Sequence, residues 1–350
     1  MNENNVAEKE YLAKIFSRWL NISEQELEAE MKGIDSARAI ERLEAPRVLP
    51  IVKLLRKVLQ DVLVVAGQKR QKWISDILQR MRRPKLSKMN NIAGLFFVEI
   101  RKDIQQNLNR RGIVPRTAPG AICITHDIDW VDCYNFTDEL AELEASYRIN
   151  ATFNFLTDWN YRIDKKLIVD LIDRGAEIGL HGSDHDIALA YRRKDEIKEK
   201  IKRGMAKLPV AVQGFRSPAL STSQDLFEVL EELGFKYDSS LYALSPFGQA
   251  TESLFPYQFP GRKLWEVPLT IQDTLLFRNL RFSESQAWDF VRALMHKTLG
   301  ANGVFVFCGH PGILKQHLSF FKRLLQECNQ IKEKKDDLRI TTISRLIDGR

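Results

Sequence analysis

From Pro115 onward, short β-rich runs alternate with helical stretches, and that alternation restricts the fold more than any other feature of the 350-residue chain. The runs are AICITHD (121–127), ATFNFL (151–156), AEIGLHG (176–182), VQGFRS (212–217), KLWEVPLTI (263–271) and GVFVFCGH (303–310). Between them, apolar residues recur at three- and four-residue intervals over Asp138–Arg148, Lys165–Arg174, Lys194–Lys207, Thr222–Leu233 and Ser283–Leu299, which is helical spacing. A strand–helix alternation sustained over about 235 residues implies a parallel sheet covered by helices, either open or closed into a barrel. The stretch before Pro115 follows another pattern. Ile51–Val65 and Trp73–Met81 have helical spacing, and Ser23 with Glu26 three residues on has the form of a helix start. The reading therefore divides the chain into an α-helical N-terminal region, 1–112, and an α/β unit, 113–350. The charge run KEKKDD (332–337) is expected to be a solvated helix end or loop.

The net charge of +7 is unevenly placed. Basic and acidic residues number 7 and 10 in residues 1–50, 15 and 4 in 51–112, and 31 and 32 in 113–350. The α/β unit is thus neutral, and the excess is local. Its densest part holds Lys69, Arg70, Lys72, Arg80, Arg82, Arg83, Lys85 and Lys88 against the single acid Asp76. With Trp73, Ile74, Ile77, Leu78 and Met81 interleaved, residues 69–88 suit peripheral contact with an anionic membrane. A basic-faced helix packed on the α/β unit is the plainer alternative. No nucleic-acid recognition motif accompanies the charge. No apolar run approaches the length of a membrane span. The first residues contain no apolar signal segment. The four cysteines, Cys123, Cys133, Cys308 and Cys328, form no CxxC pair. The expected location is cytoplasmic, at most peripheral to the inner membrane.

Three candidate groups lie where β-rich runs end, the place active sites occupy in α/β folds. Asp127 and Asp129, two residues apart in THDID, can face one pocket if the strand persists. His181 and His185, in HGSDH, can converge on one cation. Asp, His and His together suit Zn2+ or a similar divalent ion, with Co2+, Mn2+ or Ni2+ as alternatives, and three protein ligands leave room for water. His310, closing GVFVFCGH, is a candidate acid or base. His296 and His317 fall in helical stretches and are expected to face solvent.

In this order, the motifs ITHDID, HGSDH, GFRSP (214–218) and FVFCGHP (305–311) resemble those of the polysaccharide deacetylase family, the NodB-homology fold of carbohydrate esterase family four. ATFNFLTD (151–158), RGAEIGLH (174–181) and LGFKYDSSLY (233–242) are similar to its supporting phrases, and the match spans roughly 117–348. The resemblance implies an irregular seven-stranded (β/α) barrel, with Asp129, His181 and His185 as metal ligands. It gives Asp127 as base, Arg216 as its partner and His310 as general acid. Two departures stand out. Ile128 separates aspartates that are adjacent in the commoner form of the family, so the roles of Asp127 and Asp129 can be exchanged. Ala219 stands where an aromatic residue usually follows the proline of the third motif, which should reshape the substrate groove.

The implied activity is removal of an N-acetyl or related acyl group from an amino sugar, in bacterial surface-polysaccharide or lipopolysaccharide assembly. A non-sugar C–N amidase on the same fold and a catalytically silent carbohydrate-binding barrel are the competing readings. Trp265 and Glu266 are further candidates for the pocket wall, against a packing Trp and an exposed Glu. Composition is silent on oligomeric state and on which sugar is bound.

Overall fold

In a computed structural model, residues 3–27, 30–44, 50–66, 72, 84, 89, 92, 95–111, 113, 120–245, 247 and 250–349 are described. Ten short strands form one sheet: β1 (Ala121–Ile128), β2 (Thr152–Leu156), β3 (Glu177–Gly182), β4 (Gly214–Phe215), β5 (Tyr237–Asp238), β6 (Tyr257–Gln258), β7 (Trp265–Glu266), β8 (Ile271–Gln272), β9 (Val304–Gly309) and β10 (Arg339–Ile340). Their order is β6-β7-β5-β4-β3-β2-β1-β9-β8, with β10 also on β1. Every pairing except β6–β7 is parallel. The sheet curls into a half-barrel of (β/α) type, the fold class the resemblance implies. The surplus over seven strands comes from two-residue pairings. Parallel pairing needs crossovers, and it sends the C-terminal ends of the strands to the same rim. β1 lies inside the sheet between β2 and β9 and is buried at all eight positions, as a strand covered on both faces must be.

The described part of the N-terminal region is helical: α1 (Glu3–Leu20), α2 (Glu24–Leu27), α3 (Ser36–Leu43), α4 (Pro50–Ala66) and α5 (Phe96–Arg110). Ser23 and Glu26 exchange the reciprocal hydrogen bonds of a capping box ahead of α2. The segment Trp73–Met81, and all of 69–88 except Lys72 and Pro84, lie outside the described residues. Helices α1, α2, α3 and α5 share one hydrophobic cluster with the α/β part. Trp19 packs on Phe97 and Phe255 and donates its indole N–H to the Pro256 carbonyl at 3.0 Å. Arg101, buried on the same seam, donates to the carbonyls of Ala301 (2.7 Å) and Trp19 (3.2 Å). Burial lowers its pKa to about 10, because desolvation disfavours the charged form.

The α/β part carries α6 (Val131–Ser146), α7 (Lys165–Asp173), α8 (Lys194–Met205), α9 (Gln224–Glu232), α10 (Glu284–Gly300), α11 (Pro311–Leu314), α12 (Leu318–Lys334) and α13 (Ile343–Ile347). α6 begins seven residues earlier than its periodic pattern suggests. α12, absent from the sequence reading, ends inside KEKKDD, in keeping with a solvated helix end. The cysteines are all buried and unpaired. No described helix is long and apolar enough to cross a membrane.

Candidate active site

Asp127 is the penultimate residue of β1 and Asp129 follows its end, where the Tyr161 hydroxyl donates to the Ile128 carbonyl at 2.6 Å and fixes the exit of the strand. His181 lies in β3, Arg216 follows β4, Asp273 follows β8 and His310 follows β9. All therefore belong to the C-terminal rim of the parallel sheet. The sequence-predicted residues Asp127, Asp129, His181, His185 and His310 line one cavity of about 350 Å3. Arg216 is fully buried behind it.

Three protein groups grip Asp127. Its Oδ1 accepts from Asn154 Nδ2 (2.9 Å) and Arg216 Nη1 (3.1 Å), and its Oδ2 faces the Cys308 thiol at 3.3 Å. Burial pushes its pKa up, but the Arg216 guanidinium, aided by His181 and His310, holds it down to about 2. Arg216 is in turn satisfied by Thr125 Oγ1 (2.8 Å), the Ser239 carbonyl (2.8 Å) and Ser239 Oγ (2.9 Å), so its fork has one orientation. Asn154 of β2 stands directly opposite Asp127 of β1, and on its other side it faces Gly179 of β3. A Cβ on Gly179 would stand 2.2 Å from Asn154 Oδ1.

Asp129 has different neighbours: His181 Nε2 at 3.1 Å, His185 Nε2 at 3.6 Å and His310 Nε2 at 3.4 Å. His181 donates from Nδ1 to the Arg216 carbonyl at 2.8 Å, which leaves the Nε2 of a neutral ring as a lone-pair donor aimed at the carboxylate. Asp129 Oδ1 is buried with no hydrogen-bond partner among the described residues. Two lone-pair donors facing each other in a buried site call for a cation between them. The donor atoms of Asp129, His181 and His185 all lie within 4.8 Å of one another. The set fits a divalent metal, with a backbone carbonyl orienting one imidazole from behind. Burial opposes charge on Asp129, but His185 and the contacts with His181 and His310 hold its pKa well below the usual range. Asp127, Cys308 and His310 form a second close group. In that group Asp127 is already held by Arg216 and by the Cys308 thiol, whereas Asp129 Oδ1 has no hydrogen-bond partner among the described residues, so the Asp129 set is the better cation site.

Sequence reasoning missed four contributors. Asp273 accepts from His310 twice at 2.6 Å, from the backbone N–H to Oδ2 and from the ring Nδ1 to Oδ1. Burial lowers the pKa of His310, yet Asp273 and Asp129 more than reverse this and raise it well above the ordinary value. Asn154 carries no signal beyond its place in a strand. Trp130 and Trp159 flank His185, with ring centroids at 6.1 and 6.3 Å. Other expectations need correction. Trp265 and Glu266 do not line this cavity. Glu266 is fully buried rather than exposed, and accepts from the Leu241 N–H at 3.0 Å; Trp265 lies under the Arg18 guanidinium. His317 stacks on Phe277 at 3.7 Å, and only His296, which pairs with Glu327, is largely open to solvent. Ala219 lines the cavity with φ at 51°, a left-handed conformation shared with Leu220.

A family model described as WbmS-like polysaccharide deacetylase matches residues 124–319. No curated protein matches the chain. Among solved structures, a protein described as a polysaccharide deacetylase from Mycobacterium smegmatis is 19% identical, with a TM-score of 0.53 over 66% of this chain and 90% of its own. The PuuE allantoinase is 13% identical, with a TM-score of 0.50 over 65% and 88%. At these identities the structural matches speak for the fold alone. The family match covers more than half of the chain, on the segment that holds every rim residue described above, and the chain belongs to the WbmS-like polysaccharide deacetylases.

Proposed function

We propose that this chain is a metal-dependent hydrolase that removes N-acetyl groups from an amino sugar, in the assembly of a bacterial surface polysaccharide or lipopolysaccharide. The observation that carries the proposal is the division of labour around the rim: one aspartate set among imidazoles, and one held by a buried guanidinium. Asp129, His181 and His185 would hold the metal, Zn2+ in the first instance. Asp127 is the base that takes the proton of the attacking water, and Arg216 keeps it ionised and oriented. A carboxylate with a pKa of about 2 is a weak base, so the bound cation's contribution is to acidify water and polarise the acetamide carbonyl. The pairing with Arg216 favours this assignment over the exchanged one, because Asp129 has no such partner. His310, held by Asp273, delivers a proton to the amide nitrogen as the C–N bond breaks, releasing acetate and the amino sugar.

The test is removal of the metal by chelator, assay of acetate release from N-acetylated sugars, and restoration with zinc or cobalt. Activity untouched by chelation would overturn the metal reading, and full activity in Asp127→Asn would overturn the base. A non-sugar C–N amidase needs the same water, base and acid, and identification of the released product separates the two. We extend the proposal to a peripheral membrane contact through residues 69–88, next to a lipid-linked sugar. In support, α4, which precedes this segment, exposes Ile51, Leu54, Leu55 and Val58. Co-sedimentation with anionic vesicles should fall when Lys69, Arg70, Arg82 and Arg83 are replaced by Gln, and unchanged binding would dismiss it.

A further inference from the structure

The cavity wall is not made by the α/β part alone. Arg56, Leu59 and Leu63 of α4 line it, and α4 is tied to the segment after His185 by a hydrogen bond from the Ile187 N–H to Gln60 Oε1 at 3.3 Å. Arg278 lines the cavity from the π-helical turn Leu275–Asn279, which follows β8. The carboxylates in the wall already have partners. Asp127 has Arg216, Asp129 has three imidazoles, and Asp132 has Lys72 at 2.8 Å. Neither Arg56 nor Arg278 forms an ion pair with a described carboxylate, and Arg56 Nη1 is buried with no hydrogen-bond partner among the described residues. A buried guanidinium nitrogen without an acceptor is costly unless something that enters the cavity supplies one. The guanidinium fork matches a carboxylate or a phosphate in two parallel bonds, which an uncharged sugar hydroxyl cannot reproduce.

We infer that Arg56 and Arg278, which line the same cavity from two different elements, supply the positive charge that binds an anion there, and that the amino sugar this enzyme deacetylates carries a carboxylate or phosphate group. The inference rests on the deacetylase reading for the reaction, but not for the binding. An acidic sugar would be held by its charged group at the α4 side of the cavity, with its acetamido group turned to Asp127 and His310. The N-terminal helices would then set specificity rather than decorate the fold.

The test is isothermal titration of the full-length, zinc-loaded protein with three ligands: methyl N-acetylglucosaminide, N-acetylglucosaminuronic acid and N-acetylglucosamine 1-phosphate. The same titrations are run on Arg56→Gln, Arg278→Gln and the double variant, with Arg56→Lys as the charge-retaining control. At least one acidic sugar should bind about tenfold or more tighter than the neutral one, as charge-assisted hydrogen bonds allow. Each glutamine variant should lose part of that preference, Arg56→Lys less, and the double variant all of it. Whether the uronic acid or the phosphate gains most identifies the source of the charge. Equal affinity for neutral and acidic sugars overturns the inference. So does a preference that survives in the double variant, since the anion would then sit on the metal or elsewhere. An intact preference with no acetate released from any of the three sugars counts against the deacetylase reading and leaves the subsite standing.

Discussion

Replacing Gly179 by Ala puts a methyl group 2.2 Å from Asn154 Oδ1 and 3.3 Å from its Cγ, while the next neighbour, the Gly214 carbonyl, is at an ordinary 3.5 Å. Two strands with fixed register meet here, Asn154 opposite Gly179, so neither backbone can yield alone. The Asn154 side chain has to turn away, and its 2.9 Å hydrogen bond to Asp127 is lost. A bond to a buried carboxylate is worth about 1.5–3 kcal/mol, and crowding a packed site adds about 1–3 kcal/mol. We expect Gly179→Ala to cost about 2–4 kcal/mol and Asn154→Ala about 1.5–3 kcal/mol. The double variant should cost no more than Asn154→Ala alone, because the methyl then enters space the amide has left. Urea unfolding followed by circular dichroism, with m-values checked for constancy, measures all three. Additivity of the two single effects within about 0.5 kcal/mol would refute the argument, since the residues would then not share one space. Acetate release should fall in both single variants, as Asp127 loses one of its three anchors.

Asp273→Asn removes the charge that raises the pKa of His310, so the alkaline limb of the kcat/KM profile should move to lower pH; an unmoved limb would show that His310 is not the acid. His310→Asn should cost about a hundredfold or more in kcat, read from acetate release under saturating substrate. Asp238 and Glu266 are buried together; burial raises Asp238 to about 6 although Glu266 beside it pulls the other way, and burial together with the neighbouring Asp238 raises Glu266 well above its usual value. An acid whose folded pKa is raised contributes stability that is present below its unfolded pKa and lost as pH rises through the folded one. Glu266→Gln should therefore gain on the wild type as pH climbs from about 5 to 8, seen as a widening gap in urea midpoint; a gap independent of pH would contradict a raised Glu266.

Much of this was legible in the sequence, for identifiable reasons. β1, β2, β3 and β9 are apolar runs of five to eight residues, long enough for their composition to show. β5, β6 and β10 are two-residue pairings, too short to display any period, and β5 and β7 carry Asp238 and Glu266 where a buried strand is expected to be apolar. α12 was open to reading, since Leu318, Phe321, Leu325, Cys328 and Ile331 follow helical spacing. The rim residues stood out because each ends a β-run with a charged or imidazole side chain. Asp273 and Asn154 did not, because their partners, His310 and Asp127, lie 37 and 27 residues away, and such pairings exist only once the sheet has formed. Arg56 was hidden for the same reason, in a helix whose sequence reads as amphipathic and nothing more.

β1 is the first strand to be made, yet it pairs with β9 along six residues and with β10 near its start. Its hydrogen-bonding groups on that side must wait for a segment about 180 residues downstream, and contacts of such separation close slowly. During synthesis the chain thus passes through a state in which Asp127 and Asp129 are present but Cys308 and His310 have yet to be made. The candidate site is complete only when the last third of the chain docks, and the open edge of β1 is until then the place where a nascent or truncated copy is most exposed to mispairing.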